Sequence, residues 1–299
     1  MRLAGAVDIG GTRTKIGIVA EDGRIVERTT LSTTAGGEPE PLVHGLVSAL
    51  RPMLARVTEP SRLTSVGVSV AGFLDRDHSM MVANANLPAL CGFPLRRVLE
   101  ERLAIACRLE CDSNAAALAE YRFGAGKSSA RLLDVTVGTG FGGGVIIDGE
   151  LLRYTGECAG DLGHIIVDPN GRRCTCGAQG CLEAMVCSAA LSERAGGRSV
   201  REIVAGARRG EPLALEALAE TGRWLGLGLA SLSPVFAPDR IVVGGGVAAA
   251  RELLLEPVLA SYRIHGAPEF REKVDVVTSS FDGWEGMVGA ACLTFDHAG

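Results

Sequence analysis

An α/β protein of two domains is predicted by three features of this 299-residue sequence. Apolar, strand-like runs alternate with stretches of helical spacing along the whole chain, as in sheets covered by helices. A unit of strand, Gly/Thr turn, strand and Asp-Gly hairpin occurs near the start and restarts at residue 132. The length and a hydrophobic content of 47% suffice for two cores. No low-complexity linker separates the halves, so the domains are expected to share an intimate hinge.

Each element follows in order. "GAVDIGGTRTKIGIVAEDGRIVERTTL" reads as strand, Gly/Thr turn, strand, Asp22-Gly23 hairpin turn and strand. Residues 41–57 have helical spacing. "LTSVGVSVAGFLD" is a buried strand ending at Ala71-Gly72. Residues 94–104 read as helix and 105–111 as strand; an alanine-rich helix follows from Asp112 to Gly124 and Gly126. "LLDVTVGTGFGGGVIIDGELL" repeats the opening pattern, with its own turn at Asp148-Gly149. Helices are expected over 182–195, 199–209 and 212–233. "RIVVGGGVAAARELLLEPVLASY" is strand, Gly turn and helix; "KVDVVTSS" is a strand, and "EGMVGAACLTF" the last helix.

Composition excludes several functions. Net charge is −5 with acids and bases mixed, and no basic run suggests nucleic acid or an anionic membrane. The start, "MRLAGAVDIGG", is too short for a signal peptide, and no later stretch is apolar for long enough to span a bilayer. Nine cysteines without a secretory signal point to a reduced, cytoplasmic protein.

Two Gly-rich matches are decoys. "GTGFGG" fits a dinucleotide fingerprint, but a hairpin follows it where that motif needs a helix. "GAGKSS" resembles the end of a P-loop, yet Tyr121 stands where Gly is required, and a helix rather than a strand leads into it. The turns after the first strand of each half, Gly10-Gly11-Thr12 and Gly138-Thr139-Gly140, are better candidates for presenting backbone N–H groups to a phosphate chain. Asp112 stands where a strand becomes a helix; an acid there either caps the helix or faces a site. His164, Cys174, Cys176 and Cys181 form His-x9-Cys-x-Cys-x4-Cys, three thiolates and an imidazole suited to tetrahedral zinc. With all four positions taken by protein, the metal is structural, and it would fix the loop and so aim Glu183.

Together "VDIGGTRTKIGIV", "DSNAAALAEYRFGAG", "VGTGFGGGVI", "CTCGAQGCLE" and "IVVGGGV" resemble the ROK family (repressors, open reading frames and sugar kinases), and within it the glucokinases of actinobacterial type. The likeness runs from Ala4 to Leu293, and Cys-x-Cys-Gly-x-x-Gly-Cys-x-Glu is its most specific part. It implies an actin-like, hexokinase-type (ribonuclease H-like) fold, two α/β domains around a cleft that takes ATP and a sugar. The first domain would comprise 1–111 and the final helix, 285–299; the second would comprise 112–284 and carry the zinc loop. A homodimer or homotetramer is implied. Family regulators carry an N-terminal DNA-binding helix-turn-helix, for which the motif at Asp8 leaves no room, so repression is not expected.

The resemblance also assigns roles. Asp112 would be the general base, taking the proton of the sugar's primary hydroxyl as that oxygen attacks the γ-phosphate. Asp8 would hold Mg²⁺ through water; Gly10, Gly11, Thr12, Lys15, Gly138, Thr139 and Gly140 would line the phosphates. Gly244, Gly245 and Gly246 would let the nucleoside approach. Ala71, Gly72, Asn86, Cys111, Asn114, Asp161, His164 and Glu183 would surround the sugar with Asp112.

Two positions depart from the glucokinase pattern: Cys111 stands where the family has Asn, and Asp161 where it has Glu. A thiol is a poor partner for hydroxyls, and Asp is one methylene shorter than Glu. Both fall on sugar-facing positions. The expectation is therefore a 6-kinase for a hexose or a modified sugar such as kanosamine (3-amino-3-deoxyglucose). Its alternatives are an ordinary glucokinase, a kinase for an N-acylhexosamine or a C7 cyclitol, and a non-catalytic sugar sensor. Intact Asp8 and Asp112 oppose the sensor.

Overall fold

The computed structural model describes residues 1–33, 37–57, 63–84, 87–153 and 161–295. It divides into two compact units, the first comprising Met1–Phe123, Arg153 and the C-terminal segment from Trp284, the second the remainder of 124–283. Among the described residues no helix is long and apolar enough to cross a membrane.

In the first unit, β1 (Leu3–Ile9), β2 (Arg13–Ala20) and β3 (Ile25–Ser32) form an antiparallel meander. Helix α1 (Pro39–Ala55) opens with Pro at its first turn, where the missing N–H is no loss. Then come β4 (Leu63–Val70), a small hairpin of β5 (Phe73–Leu74) and β6 (Met81–Ala83), α2 (Leu95–Leu103), β7 (Cys107–Cys111) and α3 (Asp112–Phe123). β4 and β7 join β1 in parallel, giving the order β3-β2-β1-β4-β7.

The second unit repeats this plan. β8 (Arg131–Val137), β9 (Phe141–Ile147) and β10 (Glu150–Leu151) form the meander, with a φ-positive Asp148-Gly149 turn between β9 and β10. Helices α4 (Leu182–Val186), α5 (Ser188–Arg194), α6 (Val200–Arg208) and α7 (Pro212–Phe236) follow. β11 (Arg240–Gly244), α8 (Glu252–His265), α9 (Pro268–Arg271) and β12 (Asp275–Thr278) complete it. The order β10-β9-β8-β11-β12, with the same parallel and antiparallel senses, matches the first sheet. The helix expected over 182–195 is broken at Cys187, whose extended backbone (ψ 163°) separates α4 from α5.

The last helix, α10 (Glu285–Phe295), packs in the first unit on the sheet face carrying Ala4, Ala6 and Val19, while Val7, Ile9, Ile16 and Ile18 face the core under α1. Glycine permits this closeness: a Cβ at Gly67 would lie 1.8 Å from the Ala290 carbonyl, and one at Gly289 would lie 1.6 Å from that of Ala115. The second contact carries α3 with α10. The boundary therefore falls after Phe123, not before Asp112 as expected from the sequence.

Candidate functional site

In the first unit the register of three parallel strands builds the site. Ile9 pairs with Val70, and Val70 with Cys111. The next residues along each strand, Gly10, Ala71 and Asp112, therefore share the carboxyl edge of the sheet, where ligands bind in open α/β sheets. The Ala71 N–H donates to the Ile9 carbonyl at 3.1 Å. Gly72 has φ +127°, and a Cβ there would strike the Ala83 carbonyl and the Asn84 side chain, so only glycine fits. The Asn84 amide donates to the Ala71 carbonyl and holds the turn.

Asp8, one residue before the end of β1, is buried. The Ser69 hydroxyl donates to its Oδ1 at 2.7 Å and Lys15 Nζ to its Oδ2 at 2.8 Å. The start of α10 lies directly on it, since a Cβ at Gly286 would be 2.7 Å from the carboxylate. Beside them Glu285 keeps one buried oxygen, Oε2, without a hydrogen-bond partner; burial raises its pKa, with Lys15 opposing.

Asp112 opens α3 with a side chain that solvent reaches, and its Oδ1 accepts the Ser113 N–H at 2.9 Å. Crowding by protein lifts its pKa to about 6; the Asp8 carboxylate adds to the rise and Lys15 opposes it. Burial of the neighbouring Cys111 thiol, reinforced by Glu110 and Asp112, pushes that group up to about 12, so it is a neutral thiol, 3.5 Å from the Ser113 hydroxyl.

In the second unit the turns 138–140 and 244–246 follow β8 and β11, again at the carboxyl ends of paired parallel strands. Gly138 is pinned because Ser188, just after the break at Cys187, donates to its carbonyl through both N–H (2.8 Å) and hydroxyl (2.6 Å). Gly245 (φ +87°) lies so close to β8 that a Cβ would be 2.4 Å from the Val137 carbonyl. Glu183 Oε2 accepts the Phe141 N–H at 2.9 Å, and Gly140 lies so near that a Cβ would approach that oxygen to 2.7 Å.

The ligand atoms of His164, Cys174, Cys176 and Cys181 lie within 4.8 Å of one another, a metal-type group among the described residues. Cys174 Sγ is 3.6 Å from His164 Nδ1, and Cys176 Sγ is 3.6 Å from Cys181 Sγ. Tetrahedral bonds of about 2.3 Å to sulfur place ligand atoms roughly 3.8 Å apart, so the donor set and spacing fit zinc. The other ring nitrogen, His164 Nε2, is 3.3 Å from Asp161 Oδ2, and Glu183 Oε1 is 3.7 Å from Cys174 Sγ. Burial raises the Asp161 pKa; His164 opposes this and Glu183 adds to it.

The structure thus groups Asp8, Gly10, Gly11, Thr12, Lys15, Ala71, Gly72, Cys111, Asp112 and Asn114 in the first unit. It groups Gly138, Thr139, Gly140, Asp161, Glu183, Gly244, Gly245, Gly246 and the metal-type ligands in the second. Asn86 lies outside the described residues. Sequence reasoning missed Ser69, Asn84, Glu110, Arg153, Ser188 and Glu285, none of which sits in a dense motif; an acid directly before Cys111-Asp112 was the one available signal.

The model of the ROK family matches residues 4–297. A glucokinase of Streptomyces coelicolor is 35% identical, with 98% of each chain covered. An N-acetylmannosamine kinase of Escherichia coli is 33% identical over 96% of this chain and 97% of that one. Among solved structures, a ROK glucokinase of Streptomyces griseus in complex with glucose and AMPPNP is similar with a TM-score of 0.84 and 35% identity, over 98% of this chain and 99% of that one.

Proposed function

Because this chain belongs to the ROK family, has its actin-like α/β fold and is a phosphotransferase with an alcohol acceptor, we propose that it transfers the γ-phosphoryl group of ATP to the primary hydroxyl of a hexose-like sugar. The observation that carries the residue assignment is Asp112: a solvent-reachable carboxylate at the carboxyl edge of β7, with its pKa raised to about 6.

In this reading Asp112 accepts the proton of the primary hydroxyl as its oxygen attacks phosphorus. A base whose pKa lies near the working pH is suited to the task. The bond to the β-phosphate oxygen breaks and ADP leaves. Phosphoryl transfer depends mainly on positioning and charge stabilisation. The N–H groups of Gly10, Gly11 and Thr12, with Lys15, would serve the phosphates, as would those of Gly138, Thr139 and Gly140. Gly244, Gly245 and Gly246 leave room for the nucleoside.

Both oxygens of Asp8 already accept one hydrogen bond each, from Ser69 and Lys15. That fits a magnesium ion held through water, which would neutralise phosphate charge. His164, Cys174, Cys176 and Cys181 would hold a structural zinc. His164 bound through Nδ1 keeps Nε2 beside Asp161 for a sugar hydroxyl, and Glu183 joins that edge.

The proposed sugar carries a modified edge, as in 3-amino-3-deoxyglucose. Cys111 offers a neutral thiol where ring hydroxyls need donors and acceptors, while Asp112 and Asp161 offer carboxylates to an ammonium group. Plain glucose is the second reading, favoured by the likeness to glucokinases. ATP-dependent phosphorylation of a panel holding glucose, N-acetylmannosamine, 3-amino-3-deoxyglucose and a C7 cyclitol decides between them. A homodimer or homotetramer belongs to the same proposal and is read by light scattering.

A further inference from the structure

We infer that Glu110, held by Arg153, is a positioning residue of this site, fixing the backbone before Asp112 and the amide of Asn114. The inference rests on the sugar-kinase reading above. In the sheet register Asp8 pairs with Ser69 and Ser69 with Glu110, so the three form one row across β1, β4 and β7. Glu110 is 2% exposed. A carboxylate buried to that degree needs a cationic partner and filled lone pairs.

Its bonds meet that need and reach both sides of the base. Oε1 accepts the N–H of Cys111 at 3.1 Å and Nδ2 of Asn114 at 3.1 Å. Oε2 accepts Nε of Arg153 at 3.0 Å and lies 3.7 Å from His78 Nδ1, which is 3.1 Å from the Leu109 carbonyl. Asp112 thus lies between two residues tied to one carboxylate oxygen. Those ties fix the last residue of β7 and the first turn of α3 together.

The chemistry also sets what Asn114 offers. An ionised carboxylate only accepts hydrogen bonds, so Asn114 must turn its NH₂ group towards Glu110. Its carbonyl oxygen then faces elsewhere, ready for a donor on the sugar, an O–H or N–H. Arg153 supplies the guanidinium that faces Glu110 Oε2. Losing the guanidinium would leave a buried charge unpaired and release the Asn114 amide to rotate.

Steady-state kinetics and backbone amide exchange over residues 107–116 test this together. Glu110→Gln presents an NH₂ group to one of the three donors. Its kcat should fall about tenfold to a hundredfold, the scale of a roughly 1 Å misplacement. The sugar KM should rise while the ATP KM stays within about twofold, because the loss concerns the base and the sugar edge. Exchange at 111–114 should quicken. Arg153→Met should reproduce the loss, and Arg153→Lys should recover most of it. Unchanged exchange with kcat/KM near wild type in Glu110→Gln and Arg153→Met overturns the inference. So does a lowered Tm with kcat and both KM values intact. If the wild type phosphorylates no sugar of the panel, the sugar-kinase reading fails, and the exchange rates alone decide whether Glu110 pins this turn.

Discussion

The two units hold their candidate functional residues by different means. In the first, Gly10, Ala71 and Asp112 take their places from three strands in register, above the buried side chains of Val7, Ile9, Val68, Val70 and Leu109. Each such apolar side chain contributes about 1.5–3 kcal/mol on burial. In the second, the Cys-rich loop is tied by the isolated bridges Ile166 to Cys181 and Arg173 to Gln179, by backbone bonds such as the Cys174 N–H to the Ala178 carbonyl at 2.9 Å, and by a small cluster of Cys174, Cys181 and Ala184. The zinc proposed for its thiols and imidazole would add a cross-link to that loop. A register-held residue should be removable without loss of fold, whereas a loop held by the proposed ion should fail with its ligands.

Asp112 gives the largest effect. Asp112→Asn should lower kcat by at least about 10²-fold, the scale of a lost general base. The circular dichroism and nucleotide affinity should remain those of the wild type. Near-wild-type kcat would leave Asp112 as a helix-terminal acid whose only task is its bond to the Ser113 N–H.

The other side of the comparison is tested by Cys176→Ser. Elemental analysis of freshly prepared wild type should find one zinc per chain, and the variant should lose it together with several degrees of Tm, because binding free energy of this kind is also folding free energy. Wild type without zinc, or a variant as stable as its parent, would show that the loop stands without an ion.

What was legible in the sequence follows the same division. The Gly/Thr turns, Asp112 and the Cys/His cluster are dense, local patterns, readable because each needs several unusual residues within a few positions. The repeat of the strand plan was also legible, since Asp-Gly turns and alternating apolar runs are short-range signals. Ser69 was not, because its bond to Asp8 spans 61 positions and arises from the pairing of β1 with β4. Arg153 reaches Glu110 across 43 positions, and nothing beside Arg153 marks it. The placement of α3 with α10 depends on one missing methyl group, at Gly289, and an isolated glycine in a helix has no distinctive signature.

A smaller effect concerns the two positions that depart from the glucokinase pattern. Cys111→Asn combined with Asp161→Glu should move preference from 3-amino-3-deoxyglucose towards glucose. A poorly paired buried hydroxyl costs about 1–3 kcal/mol, roughly tenfold to a hundredfold in kcat/KM. Comparing kcat/KM for both sugars in both proteins measures the shift. A wild type that already prefers glucose, with no gain in the double variant, would make Cys111 a neutral replacement.

The smallest effect is in pH, and it separates what Asp112 does for catalysis from what it does for the fold. As a base, Asp112 must be ionised, and its pKa in the folded protein is about 6. Wild-type kcat/KM should therefore be level above neutrality and fall about tenfold per unit below pH 6; the residual activity of Asp112→Asn should lack that limb. For stability the sign is opposite. The carboxyl starts from 3.8 and is raised on folding, so the folded state binds its proton more readily than the unfolded state. Ionised Asp112 then opposes folding, fully above pH 6 and not at all below 3.8. Asp112→Asn should accordingly melt above the wild type at pH 7.5, with the gap narrowing as the pH falls through this window. An equal or lower melting temperature at pH 7.5 would mean that the carboxylate is relieved by solvent, and the acid limb of the activity profile should then lie near the ordinary aspartate range.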